Sequence, residues 1–283
     1  MRTTRYFSSD PISVVAYECD AGPHTPAFVE RHGEFSLSFV SAGTFGYIVE
    51  GQLFDLVPGS VLVGRPGVEY VCTHEHSCGD VCLSFRISQE FAESTGLART
   101  GRLPPCLAPH PELMILGELA QGAAAGRNDL GADEAALLFV TGVARTAGAQ
   151  QTPRRSWSSA AARRKAIDAA DRIDAHAADP LTLDRLARDA RLSIYHFLRV
   201  FSDIVGVTPH QYLVRARLRL AARLLEDDER QITGVALESG FGDLSNFVRT
   251  FHRAAGVSPR RYRRAAHGDR KILQDRFARR RVR

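Results

Sequence analysis

A short run of cysteine and histidine residues in the N-terminal half could bind a metal or react through a thiol. The run begins at Cys72 and reads Cys-Thr-His-Glu-His-Ser-Cys-Gly-Asp-Val-Cys. If its first part is a strand, alternate side chains share one face, and the later cysteines can return from the turn. Thiolate and imidazole donors suit zinc or a softer ion such as copper(I). The candidate metal ligands are Cys72, His74, His76, Cys78 and Cys82.

The alternative for this run is a histidine-rich loop beside buried, inert cysteines, because a free cysteine often behaves as a small hydrophobic residue. The chain has 5 cysteines, and an odd count favours free thiols or metal ligands over a disulfide framework. Zinc or another thiophilic metal is therefore the one cofactor that the sequence suggests. In the metal-binding or thiol interpretation, the run senses a metal, an oxidant or an electrophile.

A second group of candidate residues lies in a tandem repeat near the C-terminus. The segments Arg-Val-Phe at 199–201 and Gly-Val-Thr-Pro at 206–209 recur as Arg-Thr-Phe at 249–251 and Gly-Val-Ser-Pro at 256–259. The offset between the copies is 50 residues. Repetition at a fixed spacing indicates two related supersecondary units.

Each copy has the parts of a helix-turn-helix unit. In the first copy, residues 183–190 predict a short helix, and a second helix over 193–205 begins at a serine that can cap it. The second copy repeats this plan with helices over 234–239 and 243–254. Apolar side chains of each second helix face the core and leave a polar face outward. Arg and Asn on that face are the side chains that read guanine and adenine edges in the major groove of DNA.

Charge is divided unevenly along the chain. Residues 163–283 carry 26 Lys and Arg against 15 Asp and Glu, a net charge of +11, whereas residues 1–162 carry 11 against 17, a net charge of −6. A solvated charged surface is one explanation, but the asymmetry favours a polyanionic partner for the basic half.

The rest of the sequence predicts β-strands in the N-terminal part of the chain and helices after them. Short apolar segments at 35–40, 45–49 and 60–63 are separated by Gly and Pro turns, which is typical of a β-sandwich or barrel. Residues 111–121 and 132–147 predict two amphipathic helices. No segment approaches the roughly 18 apolar residues of a membrane span. The N-terminus also lacks an apolar signal core, so we expect a cytoplasmic protein with no membrane partner.

The second copy resembles the signature of the AraC/XylS family of bacterial transcription regulators. The resemblance is carried by residues 241–251 and 256–262 and covers roughly residues 166–264. It implies two recognition helices that enter successive major grooves on one face of double-stranded DNA. By this resemblance, the base-reading side chains are Tyr195, Leu198, Arg199, Leu244, Ser245, Asn246 and Arg249.

Some positions in this part of the chain leave alternatives open. Leu198 departs from the polar residue often seen at its position, and it touches either a thymine methyl group or nothing. Each outward Arg can contact a phosphate or be solvated instead of reading a base. Arg215, Arg217 and Arg219, on the helix that joins the two units, are candidates for phosphate contacts or for plain solvent exposure.

The resemblance also implies a cupin-like β-barrel at the N-terminus that binds an effector, followed by helices that dimerise. The first metal motif of cupins, His-x-His with a following Glu, is not recognisable near His24 or His32, and Tyr70 stands where a second-motif His would often lie. An enzymatic iron site is therefore disfavoured.

Together these observations predict an α+β chain of two domains, a cupin-like β-barrel with following helices and an all-α double helix-turn-helix domain. The expected segments are a sensing domain over 1–108, a helical dimerisation segment over 109–150, a linker over 151–164, the DNA-binding domain over 165–266 and a basic tail over 267–283.

The predicted function is that of a sequence-specific, non-enzymatic transcription regulator, an activator or a repressor. Its expected partners are double-stranded DNA, a second copy of the chain, a small-molecule or metal effector and, as a further candidate, RNA polymerase. An alternative is a regulator whose cysteines act as alkyl acceptors or redox sensors in DNA repair or a stress response, which requires an activated thiolate. A membrane-surface or RNA-binding protein would need an amphipathic basic anchor or an RNA-binding motif, and neither is recognisable.

Overall fold

The computed structural model describes residues 1–75, 79–98, 103–147, 159–269 and 271–272. The strands are β1 Arg2–Ser9, β2 Ile12–Cys19, β3 Val29–Arg31, β4 Phe35–Gly43, β5 Phe45–Val49, β6 Gln52–Leu56, β7 Val61–Gly64, β8 Glu69–Thr73, β9 Asp80–Ile87 and β10 Cys106–Leu107. The helices are α1 Gln89–Ser94, α2 Pro111–Ala124, α3 Ala132–Thr146, α4 Ala160–Ala175, α5 Leu183–Asp189, α6 Ile194–Val205, α7 Pro209–Leu224, α8 Ile232–Glu238, α9 Leu244–Ala255 and α10 Pro259–Ala266.

The N-terminal part of the chain, which we call the front half, contains β1–β10 and α1–α3. Its strands form two antiparallel sheets. The larger has the strand order β1-β2-β9-β4-β7-β10 and the smaller has the order β3-β8-β5-β6. Strands alternate the direction of their side chains, so each sheet can bury one face against the other. One buried cluster contains Phe45, Tyr47 and Phe54 of the small sheet together with Val40 and Leu62 of the large one. The expected strand-rich N-terminal domain is present, but its described strands form two packed sheets and not one closed barrel, so its cupin-like character stays a prediction.

The other face of the large sheet packs against helices α2 and α3. Phe139 of α3 stacks on Phe85 of β9 with ring centroids 4.5 Å apart, and its ring meets Phe39 of β4 edge-on at 5.8 Å. Buried leucines of α2, such as Leu113 and Leu116, belong to the same apolar cluster. These helices therefore complete the core of the front half.

Helix α2 is enclosed within its own chain. Ten of its 14 residues are buried, and it also packs against α7 and α9 of the C-terminal region. Its apolar face is thus not free to form the dimer contact expected from the sequence. On α3, Leu137 is the large apolar side chain that remains exposed. Dimerisation itself stays a prediction.

The two C-terminal units have the same internal packing. In the first, the ring of Phe201 lies 5.7 Å from Phe197 and 5.9 Å from Tyr212. In the second, the ring of Phe251 lies 5.6 Å from Phe247 and 5.3 Å from Tyr262. The sequence repeat therefore corresponds to a repeated aromatic core.

Some element boundaries differ from the predicted ones. Helix α4 begins at Ala160, inside the segment predicted as a linker over 151–164. The reason is a cap, because the hydroxyl of Ser159 accepts a hydrogen bond from the backbone N–H of Ala162. Helix α8 begins at Ile232, two residues before its predicted start. In the described part of the chain, no helix has the length and apolar character needed to cross a membrane.

A buried arginine joins the front half to the back half. Arg219 of α7 is 1% exposed and donates hydrogen bonds to Glu118 of α2 at 2.8 Å, to Asp174 of α4 at 3.0 Å and to the carbonyl of Ser41 at 2.7 Å. Burial by itself lowers the pKa of a guanidinium, but the two carboxylates outweigh this effect and raise the pKa of Arg219 overall. The side chain is therefore charged and fully partnered.

This finding corrects the sequence interpretation of the arginines on α7. Arg219 is neither solvated nor available to a phosphate. Arg217 donates to the carbonyls of Ala177 at 2.8 Å and Asp179 at 3.0 Å, and Arg215 donates to the carbonyl of Pro109. The sequence could not show this, because the elements that cover this face of α7 come from distant parts of the chain.

Further polar contacts surround the same junction. Arg163 of α4 makes a bidentate ion pair with Asp55 of β6, with Nε 2.9 Å from Oδ2 and Nη2 2.6 Å from Oδ1. The buried hydroxyl of Tyr212 donates to the carbonyl of Pro58 at 3.2 Å. Glu226, just after α7, accepts a hydrogen bond from Asn128 at 3.1 Å. The front sheets and the helical region are thus connected through charged and polar groups.

We expect Arg219→Ala to lower the free energy of unfolding by about 3–5 kcal/mol, because it leaves the buried Glu118 with only a longer contact to Arg223, at 3.6 Å. Urea unfolding followed by circular dichroism measures the change. Arg230→Ala is the matched control, since its side chain is 40% exposed and its ion pairs with Asp227 and Glu238 lie at the surface. The control should cost no more than about 1 kcal/mol. Equal losses of unfolding free energy in the two variants would show that the buried cluster stabilises the fold no more than a surface ion pair does.

Candidate nucleic-acid interface

Helix α6 carries the first group of predicted base-reading residues. The hydroxyl of Ser193 caps its start by accepting from the backbone N–H of His196 at 3.3 Å. Its end is fixed by Gly206, whose φ of 79° lies in the left-handed region that favours glycine. Phe197 and Phe201 are fully buried beneath the helix. The local sequence therefore fixes both the length of α6 and the face that points outward.

The outward face of α6 presents a tyrosine and an arginine. Tyr195 is 87% exposed, and Arg199 is exposed one turn further along. Leu198 is half-buried, so less of its side chain is available to a partner. An exposed aromatic ring next to a guanidinium is suited to contact base edges or backbone phosphates.

Helix α9 presents the second group. Asp243 caps it by accepting from the backbone N–H of Asn246 at 2.7 Å. Leu244, Ser245, Asn246 and Arg249 are all exposed, while Phe247 and Phe251 are buried. The side-chain carbonyl of Asn246 accepts a bond from the hydroxyl of Thr250 at 3.3 Å. Its amide N–H groups point to no acceptor within the described residues, so they remain available as donors.

The arginines on these two outward faces differ from those elsewhere in the helical region. Neither Arg199 nor Arg249 has an ion-pair partner among the described residues. By contrast, Arg188 pairs with Asp184 on α5, and Arg230 pairs with Asp227. A guanidinium without an internal carboxylate partner keeps its full capacity for an external anion or a guanine edge.

Of the five metal ligands predicted from the sequence, the structure describes Cys72, His74 and Cys82. His74 Nε2 lies 2.7 Å from Asp80 Oδ1, and the Cys82 thiol donates to Asp80 Oδ2 at 3.4 Å. Cys72 instead packs against the core between the two sheets. His76 and Cys78 lie outside the described residues. The five-residue set as a whole stays a prediction, and the sequence analysis missed Asp80, although it lies inside the same run.

The cysteines of the described residues are not activated thiols. Burial raises the pKa of the Cys72, Cys82 and Cys106 thiols, and a nearby Asp80 raises that of Cys82 further. The pKa of Cys19 is also raised, first by burial. A nucleophilic alkyl acceptor needs a lowered thiol pKa, so these environments disfavour that role.

Comparison with known proteins places the C-terminal region in a family. Residues 186–265 match a family model described as a helix-turn-helix domain. An HTH-type transcriptional regulator of Mycobacterium tuberculosis is 41% identical over 83 residues, which span 29% of this chain and only 32% of that relative. The HTH-type transcriptional activator RhaS of Shigella dysenteriae is 27% identical over 85% of this chain and 89% of that protein.

Solved structures of similar proteins include a DNA-binding domain and a chain that matches along its whole length. The DNA-binding domain of AdpA in complex with a target DNA is 30% identical over 36% of this chain and 91% of that chain, with a TM-score of 0.35. ToxT from Vibrio cholerae is 14% identical over 92% of this chain and 100% of that chain, with a TM-score of 0.37.

The repeated units and the family match define a protein with a tandem helix-turn-helix domain of the DNA-binding kind. In this region the chain is similar to AraC-type helix-turn-helix domains of transcription regulators.

We expect the exposed and buried faces of α6 to respond differently to truncation. Tyr195→Ala should change the free energy of unfolding by no more than about 0.5 kcal/mol, because the side chain packs little against the protein. Phe197→Ala, two residues away, should cost about 3–5 kcal/mol through loss of the aromatic core. Denaturant unfolding of both variants measures the difference. A large loss in Tyr195→Ala would mean that this residue is structural.

Proposed function

We propose that the protein is a sequence-specific transcription regulator that reads double-stranded DNA with two recognition helices, α6 and α9. The observation that carries the proposal is the repeat, because each copy supports its recognition helix on the same aromatic core and leaves a polar face exposed. Two such units in one chain can read two adjacent major-groove segments, which recur about every 34 Å along the duplex.

The chemistry of each outward face indicates how a sequence is read. A guanidinium can donate two hydrogen bonds to the N7 and O6 atoms of guanine, and a carboxamide can bond the N7 and N6 atoms of adenine. Arg199, Arg249 and Asn246 are the side chains with these abilities. Shape-complementary and apolar contacts with the DNA are the proposed roles of Tyr195, Leu198, Leu244 and Ser245. Contact with phosphates is the alternative role for each arginine.

The contacts between the two halves support regulation by an effector. Arg219, Arg163 and Tyr212 tie the helical region to strands and loops of the front half. An effector that changes the front half can alter the presentation of α6 and α9, provided that it binds one arrangement more tightly than the other. The proposed effector is a small molecule or a metal ion.

The assembly of the regulator is part of the same proposal. We infer that it acts as a homodimer, and RNA polymerase is a further proposed partner. Because α2 is enclosed in its own chain, the contact between copies must use another surface, and exposed Leu137 on α3 supports a position there. Sedimentation velocity of the wild type and of Leu137→Glu tests this surface. An unchanged dimer in the variant would exclude α3.

A protein that repairs DNA through an alkyl-accepting cysteine is the second candidate. Its requirement is a thiolate activated by a cation or a metal, and the raised thiol pKa of the described cysteines does not support it. Mass analysis of the protein after incubation with alkylated DNA distinguishes the two functions, because only the repair protein gains a methyl group on cysteine.

The DNA-binding proposal predicts selection of a defined sequence from random duplex DNA. With that sequence in hand, Arg199→Ala and Asn246→Ala should each weaken specific binding by about 1–3 kcal/mol, or roughly 5- to 150-fold, and relax the preference at one base position. Fluorescence anisotropy at a fixed salt concentration gives the affinities.

Arg5→Ala serves as the matched control for Arg199→Ala, because it removes the same charge from an exposed position on β1. It should leave the specific affinity unchanged. Failure to enrich any sequence would contradict the proposal, and so would equal binding by all three variants. A loss that is uniform across sequences would instead assign that side chain to a phosphate.

A further inference from the structure

Three potential metal ligands come together where the two sheets of the front half meet. Cys19 at the end of β2 and Asp80 at the start of β9 are directly paired across antiparallel strands. His74 follows the last residue of β8, which belongs to the smaller sheet. Strand pairing therefore brings together side chains that are far apart in the sequence.

The three groups are close enough to share one ion. One donor atom from each of Cys19, His74 and Asp80 lies within 4.8 Å of the other two. The imidazole of His74 is 6% exposed and the carboxylate of Asp80 is 8% exposed, with 2.7 Å between Nε2 and Oδ1. The ring of His74 also stacks on Phe45 at a centroid distance of 6.0 Å. The histidine and the carboxylate are thus held in place before any ion binds.

The backbone around the site has little conformational freedom. Gly79 has a φ of 79°, and a Cβ at this position would lie 2.6 Å from the carbonyl oxygen of Cys19. Its N–H donates to the carbonyl of Ala21 at 2.8 Å. The close approach of these two segments fixes the separation of Cys19 and Asp80. An open cleft lined by Glu18, Cys19 and Asp80 gives solvent access to the site.

We propose that Cys19, His74 and Asp80 form a binding site for a thiophilic divalent cation, with zinc as the best match. Sulfur, nitrogen and oxygen donors are all ordinary zinc ligands, and three protein ligands leave a fourth position for water or a small molecule from the cleft. On binding, the Cys19 thiol releases its proton to solvent and the sulfur bonds to the metal. The ion replaces the direct contact between His74 and Asp80.

Cys82 has a supporting place in this site. Its buried thiol donates to Asp80 Oδ2, the oxygen that does not contact His74. This bond orients the carboxylate so that Oδ1 faces the histidine, which makes Cys82 a positioning residue. Bound metal would link β2 and β9 of the large sheet to the end of β8 in the small sheet, and would therefore couple the two sheets of the front half.

The proposed ligand set differs from the one that the spacing of cysteines and histidines suggested. Cys72 packs against the core between the sheets and is not among the donor groups that lie within 4.8 Å of one another. Cys19, which lies outside the run, takes its place. The two sets make opposite predictions for the variants Cys19→Ser and Cys72→Ser.

Equilibrium dialysis of the full chain against Zn²⁺, followed by elemental analysis, tests the site. We expect one zinc ion per chain in the wild type. Loss of a residue that only orients a ligand typically costs about 10–100-fold in metal affinity, so removal of a ligand should cost about 100-fold or more. Cys19→Ser, His74→Gln and Asp80→Asn should each show this loss, whereas Cys72→Ser should bind as the wild type does.

Substitution with Co²⁺ identifies the sulfur ligand directly. Wild type and Cys72→Ser should both show a thiolate-to-cobalt absorption band that Cys19→Ser lacks. Circular dichroism of metal-free Cys19→Ser checks that this half-buried position tolerates serine. The proposal is overturned if the wild type binds no stoichiometric zinc, or if Cys72→Ser loses the metal while Cys19→Ser keeps it. It does not rest on the DNA-binding role, since the selection of a DNA sequence is measured separately.

Discussion

The charged cluster around Arg219 is the interaction on which the relation between the two halves depends. A buried guanidinium is tolerated only when its donors meet acceptors, and here the acceptors come from α2, α4 and the end of β4. These elements lie on both sides of the segment that joins the halves. The cluster is complete only when all of them are in place, so it defines one relative arrangement of the front sheets and the recognition helices.

The arginines of the helical region fall into two groups, those buried in contacts within the chain and those exposed on the outward faces of α6 and α9. Those on the buried faces, such as Arg163 and Arg219, are held by carboxylates and carbonyls of the same chain. Those on the outward faces of α6 and α9 have no such partners among the described residues. The net charge of the basic half therefore overstates the charge available to DNA, because part of it is neutralised inside the protein. A specific contact depends on the few guanidinium groups that remain free.

Local patterns in the sequence predicted the helices and strands well. They did not predict which distant segments pack against each other. The 50-residue repeat and the serine cap at Ser193 predicted the helices that the structure shows as α6 and α9, because a cap acts within one turn and the repeat copies the same local pattern. What covers the arginine-bearing face of α7, or brings Cys19 beside Asp80, depends on pairing between distant segments. Single-sequence periodicity carries no information on such pairing, so the buried role of Arg219 and the ligand role of Cys19 could not be foreseen.

The repeated aromatic core has a consequence for how such a regulator changes over evolutionary time. Each unit rests on its own packed aromatic rings, and the exposed side chains of α6 and α9 are not among them. Substitutions on one outward face can therefore accumulate without weakening the fold and without disturbing the other unit. The two halves of a bound DNA sequence can therefore change independently, one helix-turn-helix unit at a time.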